Sequence, residues 1–283
     1  MNFYELLVAK AKGIDGIRYS LNEEGFIEVF TPIITNRVDF PLKEHFSIKQ
    51  KSFYLRICME LRLRQLLSFG FNGVYELGPC FRNEKDENKL IEFYLLEVFK
   101  RNAKYNDLIT LSENICKGVF TTLGNQDYNF NWKRFKVISL VSEEEISYIR
   151  NNVENDIEFI DEFDKKIEDA VSNITEKAYF VVDYPVETIS LAKRMDNDPK
   201  YIERFELYIN KEEIAHGFID CCDGADIATR MNNIKWSDKY LLKQLEKKEL
   251  PESGGFGIGI ERLIQAALNI TDIKQIVVGD NIM

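Results

Sequence analysis

Val74-Tyr-Glu-Leu-Gly-Pro-Cys-Phe-Arg-Asn-Glu84 and Ile91-Glu-Phe-Tyr-Leu-Leu-Glu-Val-Phe99 flank a short polar turn, Lys85 to Lys89. Two alternating blocks around such a turn predict an antiparallel hairpin. Period-two alternation puts Arg82 and Glu84 on one face of the first strand, and Phe93, Leu95, Glu97 and Phe99 on one face of the second. An arginine, two carboxylates and two aromatic rings on paired strands can form a polar, ring-lined floor, and a guanidinium fork fits phosphate or carboxylate. A solvated face carrying a cross-strand Arg–Glu pair fits the same pattern.

Working outward, the apolar spacing of Tyr4 to Glu24 predicts a helix, followed by a strand, Gly25 to Thr31, that Pro32 stops. A second helix is expected over Tyr54–Phe69 and a third over Asp107–Leu123. From about 124 to 177 the chain is highly charged and reads as a helical insertion packed on the main body. Ala178–Tyr184 returns as a strand. Arg204 to Ile219 reads as a second hairpin turning at Asn210-Lys211, after which the glycine-rich strand Gly254-Gly-Phe-Gly-Ile-Gly-Ile260 leads into a helix, Glu261 to Leu268. Antiparallel hairpins separated by helices indicate an α+β fold rather than a doubly wound parallel sheet.

Composition narrows the function. The 283 residues carry 37 Lys+Arg and 47 Asp+Glu, a net charge of −10, which speaks against a nucleic-acid binder working through a broadly basic surface. Charges interrupt every apolar run, so no membrane span is expected, and no signal-peptide pattern opens the chain. Five cysteines without C-x-x-C spacing and two histidines, His45 and His216, make a zinc site, a disulfide framework or a Ser-His-Asp triad a poor expectation. Reduced thiols in a cytoplasmic protein are the expectation.

In the second hairpin a turn at Asn210-Lys211 sets Tyr208 opposite Glu213, so Glu206 and Glu213 become diagonal neighbours. Two carboxylates that close suit a magnesium ion bridging nucleotide phosphates; two exposed acids flanking Lys211 are the plainer alternative. Plain alternation sends His216, Phe218 and Asp220 to the face opposite Glu213, so a bulge near Ala215 is needed to bring them together. In the last strand Gly255, Gly257 and Gly259 clear one face for a flat ligand, or for tight strand–helix packing, and Arg262 stands in the first turn of the helix. No phosphate-binding P-loop or dinucleotide fingerprint is present.

Together, Gly25 to Pro32, Phe81-Arg82-Asn83-Glu84 and Gly257-Ile-Gly-Ile-Glu261-Arg262-Leu263 resemble the three motifs of class II aminoacyl-tRNA synthetases. Tyr54-Leu-Arg-Ile-Cys-Met-Glu60-Leu, Glu92-Phe-Tyr-Leu-Leu-Glu97, Asp183-Tyr-Pro-Val-Glu-Thr-Ile-Ser-Leu-Ala-Lys-Arg194 and Arg204-Phe-Glu-Leu-Tyr-Ile to Asp220 are similar to lysyl-tRNA synthetases. The resemblance implies an antiparallel catalytic sheet flanked by helices, as one catalytic domain over 1–283; the anticodon-binding barrel that lysyl-tRNA synthetases carry is not expected here. In that it resembles the stand-alone paralogue that acts on elongation factor P.

The resemblance implies ATP and Mg2+ as cofactors, a homodimer, and formation of an aminoacyl adenylate of lysine or another basic amino acid. It also implies roles. Arg82 and Arg262 are the catalytic residues; Arg82 holds the amino-acid carboxylate and the α-phosphate. Phe93 stacks on adenine against Arg262, which reaches the γ-phosphate. Glu84 takes the adenine amino group and Lys89 contacts ATP. Glu206 and Glu213 hold the metal. Glu60 takes the α-ammonium and Glu97 the side-chain ammonium, with Asp220 where the family has a second glutamate, Phe99 where it has tyrosine, and His216 where it has asparagine. Phe218 and Gly257 complete the amino-acid site; the elongation-factor paralogue typically has alanine at the latter. The expected acceptor is a protein, carrier protein or small amine. The alternatives are a minimal aminoacyl-tRNA ligase and a non-catalytic regulatory protein.

Overall fold

A computed structural model describes residues 1–37, 45–48, 53–83, 89–125 and 132–277. Its centre is an eight-stranded sheet in the order β1-β5-β6-β11-β10-β9-β8-β7. β1 (Ile27–Glu28) lies at one edge and pairs in parallel with β5 (Gly73–Phe81). β5 and β6 (Glu92–Arg101) form the first hairpin, and β6 pairs antiparallel with β11 (Ser253–Gly259). β10 (Glu212–Ile219), β9 (Tyr201–Ile209) and β8 (Ala178–Pro185) continue antiparallel, and β7 (Lys133–Lys136) adds a parallel edge strand. Three short strands, β2 (Ile34–Thr35), β3 (Ser47–Ile48) and β4 (Phe53–Leu55), form a separate small sheet.

One face of the large sheet is sealed by α1 (Phe3–Glu23), α3 (Tyr105–Thr122) and α8 (Ile260–Leu268). Ile17, Leu21, Cys116, Val119, Phe120, Leu263 and Ile264 from these helices pack on Leu96, Val98, Phe205, Leu207, Phe256 and Ile258. Each such apolar side chain contributes roughly 1.5–3 kcal/mol by leaving water. On the other face α2 (Glu60–Leu67) covers β5 and β6 through Leu63 and Leu67, which meet Val74, Cys80, Leu95 and Phe99. The far end is covered by α4 (Glu143–Asn152), α5 (Asp156–Ser172), α6 (Gly224–Asn233) and α7 (Lys239–Glu246), whose apolar stripes enclose Tyr179, Val181, Tyr184 and Tyr208. Between the two covers a strip of β11 and β10 is less covered, with Gly257, Gly259 and His216 half-buried and Glu213 exposed, and this strip forms a cleft.

The α+β reading holds, and three local readings change. The helix expected from Tyr54 begins only at Glu60, because Phe53–Leu55 is drawn into the small sheet. The charged 124–177 stretch is not purely helical: Lys133–Lys136 pairs with β8 as an edge strand, where only Phe135 turns inward and the lysines and arginine face water. The strand expected over Gly25–Pro32 is reduced to Ile27–Glu28, extended by a Val29 N–H donating to Tyr75 O at 2.8 Å. Helices α6 and α7 were not read from the sequence. Their short amphipathic stripes are capped by Asp223 and Asp238, each accepting from two backbone N–H groups.

The second hairpin turns at Asn210 and Lys211, both in the left-handed region at φ 52° and 70°, as a two-residue turn matching strand twist requires. Among the described residues, no helix is long and apolar enough to cross a membrane.

Candidate active site

One row of paired residues crosses the open face of the sheet: Glu76 opposite Glu97, Glu97 opposite Gly257, Gly257 opposite His216, and His216 opposite Glu206. Since directly opposed residues point to the same side, all of these share one face. The next row deeper runs Val74, Phe99, Gly255, Phe218, Arg204. The sequence placed these residues on several strands; the register places them side by side.

Two bulges make the rows possible. In β10 the pairing shifts between Glu213 and Ala215, so that Ile214 and Ala215 both enter the helix-covered core and His216 and Phe218 turn to the face of Glu213. This is the bulge that the alternation pattern required. In β8 the pairing shifts between Val182 and Tyr184, with Asp183 at φ 63°. That slip turns Tyr184 to the open face, where its hydroxyl donates to Glu206 at 2.5 Å.

Glu206 is buried and held by three donors: Tyr184, Tyr208 at 2.6 Å, and Arg204, which also pairs with it ionically. Burial opposes its ionisation, but the Arg204 cation and the two hydroxyls outweigh it and lower its pKa. An ionised carboxylate has about four lone-pair sites, so three donors leave one for a cation. Glu213, at the open mouth of the cleft, is pushed the other way by the surrounding protein and by the Glu206 charge, against the pull of Arg262, Arg204 and Arg82. Two carboxylates that raise one another's cost of ionisation are suited to a shared divalent ion. Among the described residues, no group of three or more His, Cys, Asp or Glu is placed to hold a metal, so phosphate oxygens or water would have to complete the shell.

Arg82 follows β5. Its N–H donates to Ile91 O at 2.9 Å, its guanidinium lies 5.0 Å from the Phe93 ring centre, and its buried Nε has no partner among the described residues. Its charge reaches both Glu97 and Glu213. Arg262 donates from Nη1 to the Glu213 carbonyl at 2.8 Å. Lys89 is exposed at the end of the hairpin loop; Glu84 lies outside the described residues.

Glu97 is 5% exposed and accepts a hydrogen bond from the Met59 N–H at 2.7 Å, which ties it to the start of α2, where Glu60 is also buried. Burial pushes the Glu97 carboxyl up to about 8, against the Met59 N–H and the Arg82 and Arg56 cations. The neighbouring Glu76 does not compete for a ligand. Arg56 donates to it at 2.6 Å and the Thr31 N–H at 2.9 Å, while Arg56 also donates to Pro79 O, tying the end of the first strand to the hairpin.

Asp220 lies one row beyond Phe99 and Phe218. Its carboxylate receives the Ser253 hydroxyl at 2.5 Å and faces Arg64 at 3.5 Å, with both side chains fully buried. The Phe99 ring closes the floor between Glu97 and Asp220 by lying on Gly255, where a Cβ would come within 2.7 Å of two ring carbons and 2.5 Å of Val98 O. Gly257 differs: a Cβ there would sit 3.5 Å from Leu95 and 3.6 Å from Glu97 Cγ, in ordinary contact.

Sequence reasoning missed Arg204, Tyr208 and Tyr184 around Glu206, and Arg64 and Arg56. Period two from Glu206 picks out Arg204 and Tyr208 directly. Tyr184 is hidden by its bulge. Arg64 and Arg56 meet their partners only across 156 and 20 positions of chain, which no local pattern reports.

The model of the family described as tRNA synthetases class II (D, K and N) matches residues 2–278. Lysine–tRNA ligase of Mycoplasma pneumoniae is 29% identical over 318 residues, covering 96% of this chain and 64% of the relative. The lysine–tRNA ligase of Bacillus mycoides is 30% identical, covering 98% and 64%, and that of Saccharolobus solfataricus 30%, covering 92% and 61%. The chain thus spans less than two thirds of these relatives' length. The chain belongs to the class II tRNA synthetases of the D, K and N group.

Proposed function

We propose that the protein is an ATP-dependent ligase that activates lysine or another basic amino acid as its aminoacyl adenylate. The observation that carries this reading is the single row Glu97–Gly257–His216–Glu206. It brings the buried carboxylates of Glu97 and Glu206 onto one face with Gly257 between them, and Arg82 has an Nε without a partner among the described residues; this supports an ammonium at Glu97 and a metal at Glu206.

In this reading Glu60 and Glu97 bind the two ammonium groups, and His216 and Arg82 hold the carboxylate. Phe93 and Arg262 take the adenine, Arg262 also reaches the γ-phosphate, and Lys89 contacts ATP; Glu84 would contact the adenine amino group. The amino-acid carboxylate attacks the α-phosphorus, the bond to the β-phosphate oxygen breaks, and pyrophosphate leaves. Arg82 stabilises the charge that builds on the α-phosphate oxygens. Glu206 and Glu213 would hold Mg2+, which supplies charge neutralisation at the phosphates. No side-chain nucleophile is required; positioning and electrostatics supply the rate.

In this reading the side chain of the substrate ends at the row of Phe99 and Phe218 with its cation on Glu97, while Asp220, one row further on, faces Arg64. Gly257 leaves the space over Glu97 open to an α-amino acid, and the contact distances above indicate that an alanine methyl would fill it. For the acceptor, the net charge of −10 favours a protein, carrier protein or small amine, like the acceptor of the elongation-factor paralogue, over tRNA. A tRNA acceptor is the second reading, favoured by relatives that are lysine–tRNA ligases.

Amino-acid-dependent ATP–pyrophosphate exchange, with Mg2+, a panel of basic amino acids and no tRNA, tests the activation step. A response to one basic amino acid supports the reading. Silence together with failure to bind ATP would favour a regulatory protein instead.

A homodimer is part of the proposal. Ile27, Phe30, Ile33 and Ile34 are exposed along the first strand and the residues after it, Phe30 by 80%. A patch of that kind suits a self-complementary interface. Phe30→Asp is expected to convert the dimer to monomer in light scattering at micromolar concentration; a monomeric wild type would refute the dimer.

A further inference from the structure

Arg262 and Phe93 come from different elements, yet one carboxylate connects them. Glu261, 3% exposed in the first turn of α8, accepts the Tyr94 N–H on Oε2 at 2.9 Å and pairs through Oε1 with Lys10 Nζ of α1 at 2.6 Å. Tyr94 is the residue after Phe93, and Arg262 is the residue after Glu261. Two covalent steps from this carboxylate's hydrogen bonds therefore lead to the two groups that flank the proposed base site. The Lys10 ammonium also lies 5.3 Å from the Tyr94 ring centre, so the same cation holds both sides of the junction.

The remaining anchors are one-sided. Arg262 is fixed to Glu213 O and Phe93 is overlain by Arg82, but neither contact joins Phe93 to Arg262. β11 ends at Gly259 opposite Leu95, so beyond that pair no backbone ladder sets the distance between β6 and the start of α8. The Glu261 carboxylate takes over where the ladder stops.

We propose that Glu261 is a positioning residue that sets the spacing between Phe93 and Arg262, and so the affinity for the purine base, with Lys10 holding it from behind. This rests on the nucleotide-binding reading above. An acid in the first turn also complements the helix dipole, and that role alone would affect stability without selecting among ligands. The two roles differ in what they do to ligands with and without a base.

The experiment compares binding of ATP and of inorganic tripolyphosphate, each with Mg2+, by calorimetry, in wild type, Glu261→Gln, Lys10→Met and Phe93→Ala. Glu261→Gln is expected to weaken ATP by about tenfold, as loss of a charge-assisted hydrogen bond would, and tripolyphosphate by about threefold at most, because only the reach of Arg262 to the terminal phosphate is shared by both ligands. Lys10→Met, which keeps the Tyr94 hydrogen bond and the aliphatic stem, should weaken ATP by about threefold with the same selectivity. It serves as the test if Glu261→Gln does not fold. Unchanged ATP affinity in the Glu261 and Lys10 variants, with Phe93→Ala impaired, would overturn the positioning role and leave the nucleotide reading standing. Equal loss of ATP and tripolyphosphate would assign Glu261 a purely structural role. Failure of wild type to bind ATP would overturn both.

Discussion

Arg82→Ala is expected to lower amino-acid-dependent ATP–pyrophosphate exchange by about 10³-fold, the scale of losing one preorganised donor to a transition-state oxyanion. The side chain is poised for that role. Its backbone is tied to Ile91, its guanidinium rests on Phe93, and a buried Nε has no partner among the described residues. Its charge acts on both Glu97 and Glu213, the carboxylates proposed above for the amino acid and for the metal at the nucleotide. Arg82→Lys should recover little, because an ammonium cannot supply two parallel donors. The folded state should survive either change, as the guanidinium rests on the Phe93 ring at the end of the hairpin rather than in the apolar core, and circular dichroism checks it. Full activity in Arg82→Ala would sink the adenylation mechanism.

The second large effect is expected at Glu97. Glu97→Gln should weaken binding of the basic amino acid by about 10²-fold, the usual scale for removing one member of a buried charge pair. In wild type that affinity should rise as pH climbs through about 8, because the cation binds the ionised carboxylate. Stability should show the opposite trend. A carboxyl whose pKa is raised on folding, here from an ordinary 4.5 to about 8, contributes stability that is fully present below the lower value and lost through the upper. Wild type should therefore lose stability between about pH 4.5 and 8, and Glu97→Gln should flatten that part of the curve. Urea unfolding at several pH values, with calorimetry of lysine binding, measures both. Lysine affinity within threefold of wild type would remove Glu97 from the recognition site.

These two residues were legible for a common reason. Both lie on the first hairpin, whose alternation is regular over nine or more residues per strand, so face and neighbour follow from period two. The second hairpin was legible up to its turn, where Asn210 and Lys211 take the left-handed backbone and give the Tyr208–Glu213 pairing. Beyond Glu213 the alternation pattern broke down and could state only that a bulge was needed. The expected helix from Tyr54 and the uniformly helical 124–177 stretch failed where a short strand was recruited by a partner distant in sequence.

The sequence by itself determined the hairpins, the glycine-cleared strand, the acids and arginines, and the family they resemble, because each is written in spacing within a few residues. The tertiary structure alone decided which of those side chains meet. One inserted residue at Ile214 and another slip at Asp183 reverse the face of everything after them, bringing His216, Phe218 and Tyr184 to the cleft. Tertiary packing also turned Asp220 toward Arg64 beneath the Phe99 layer, since a buried carboxylate takes the nearest buried cation, and that partner comes from a helix folded over the sheet from elsewhere in the chain.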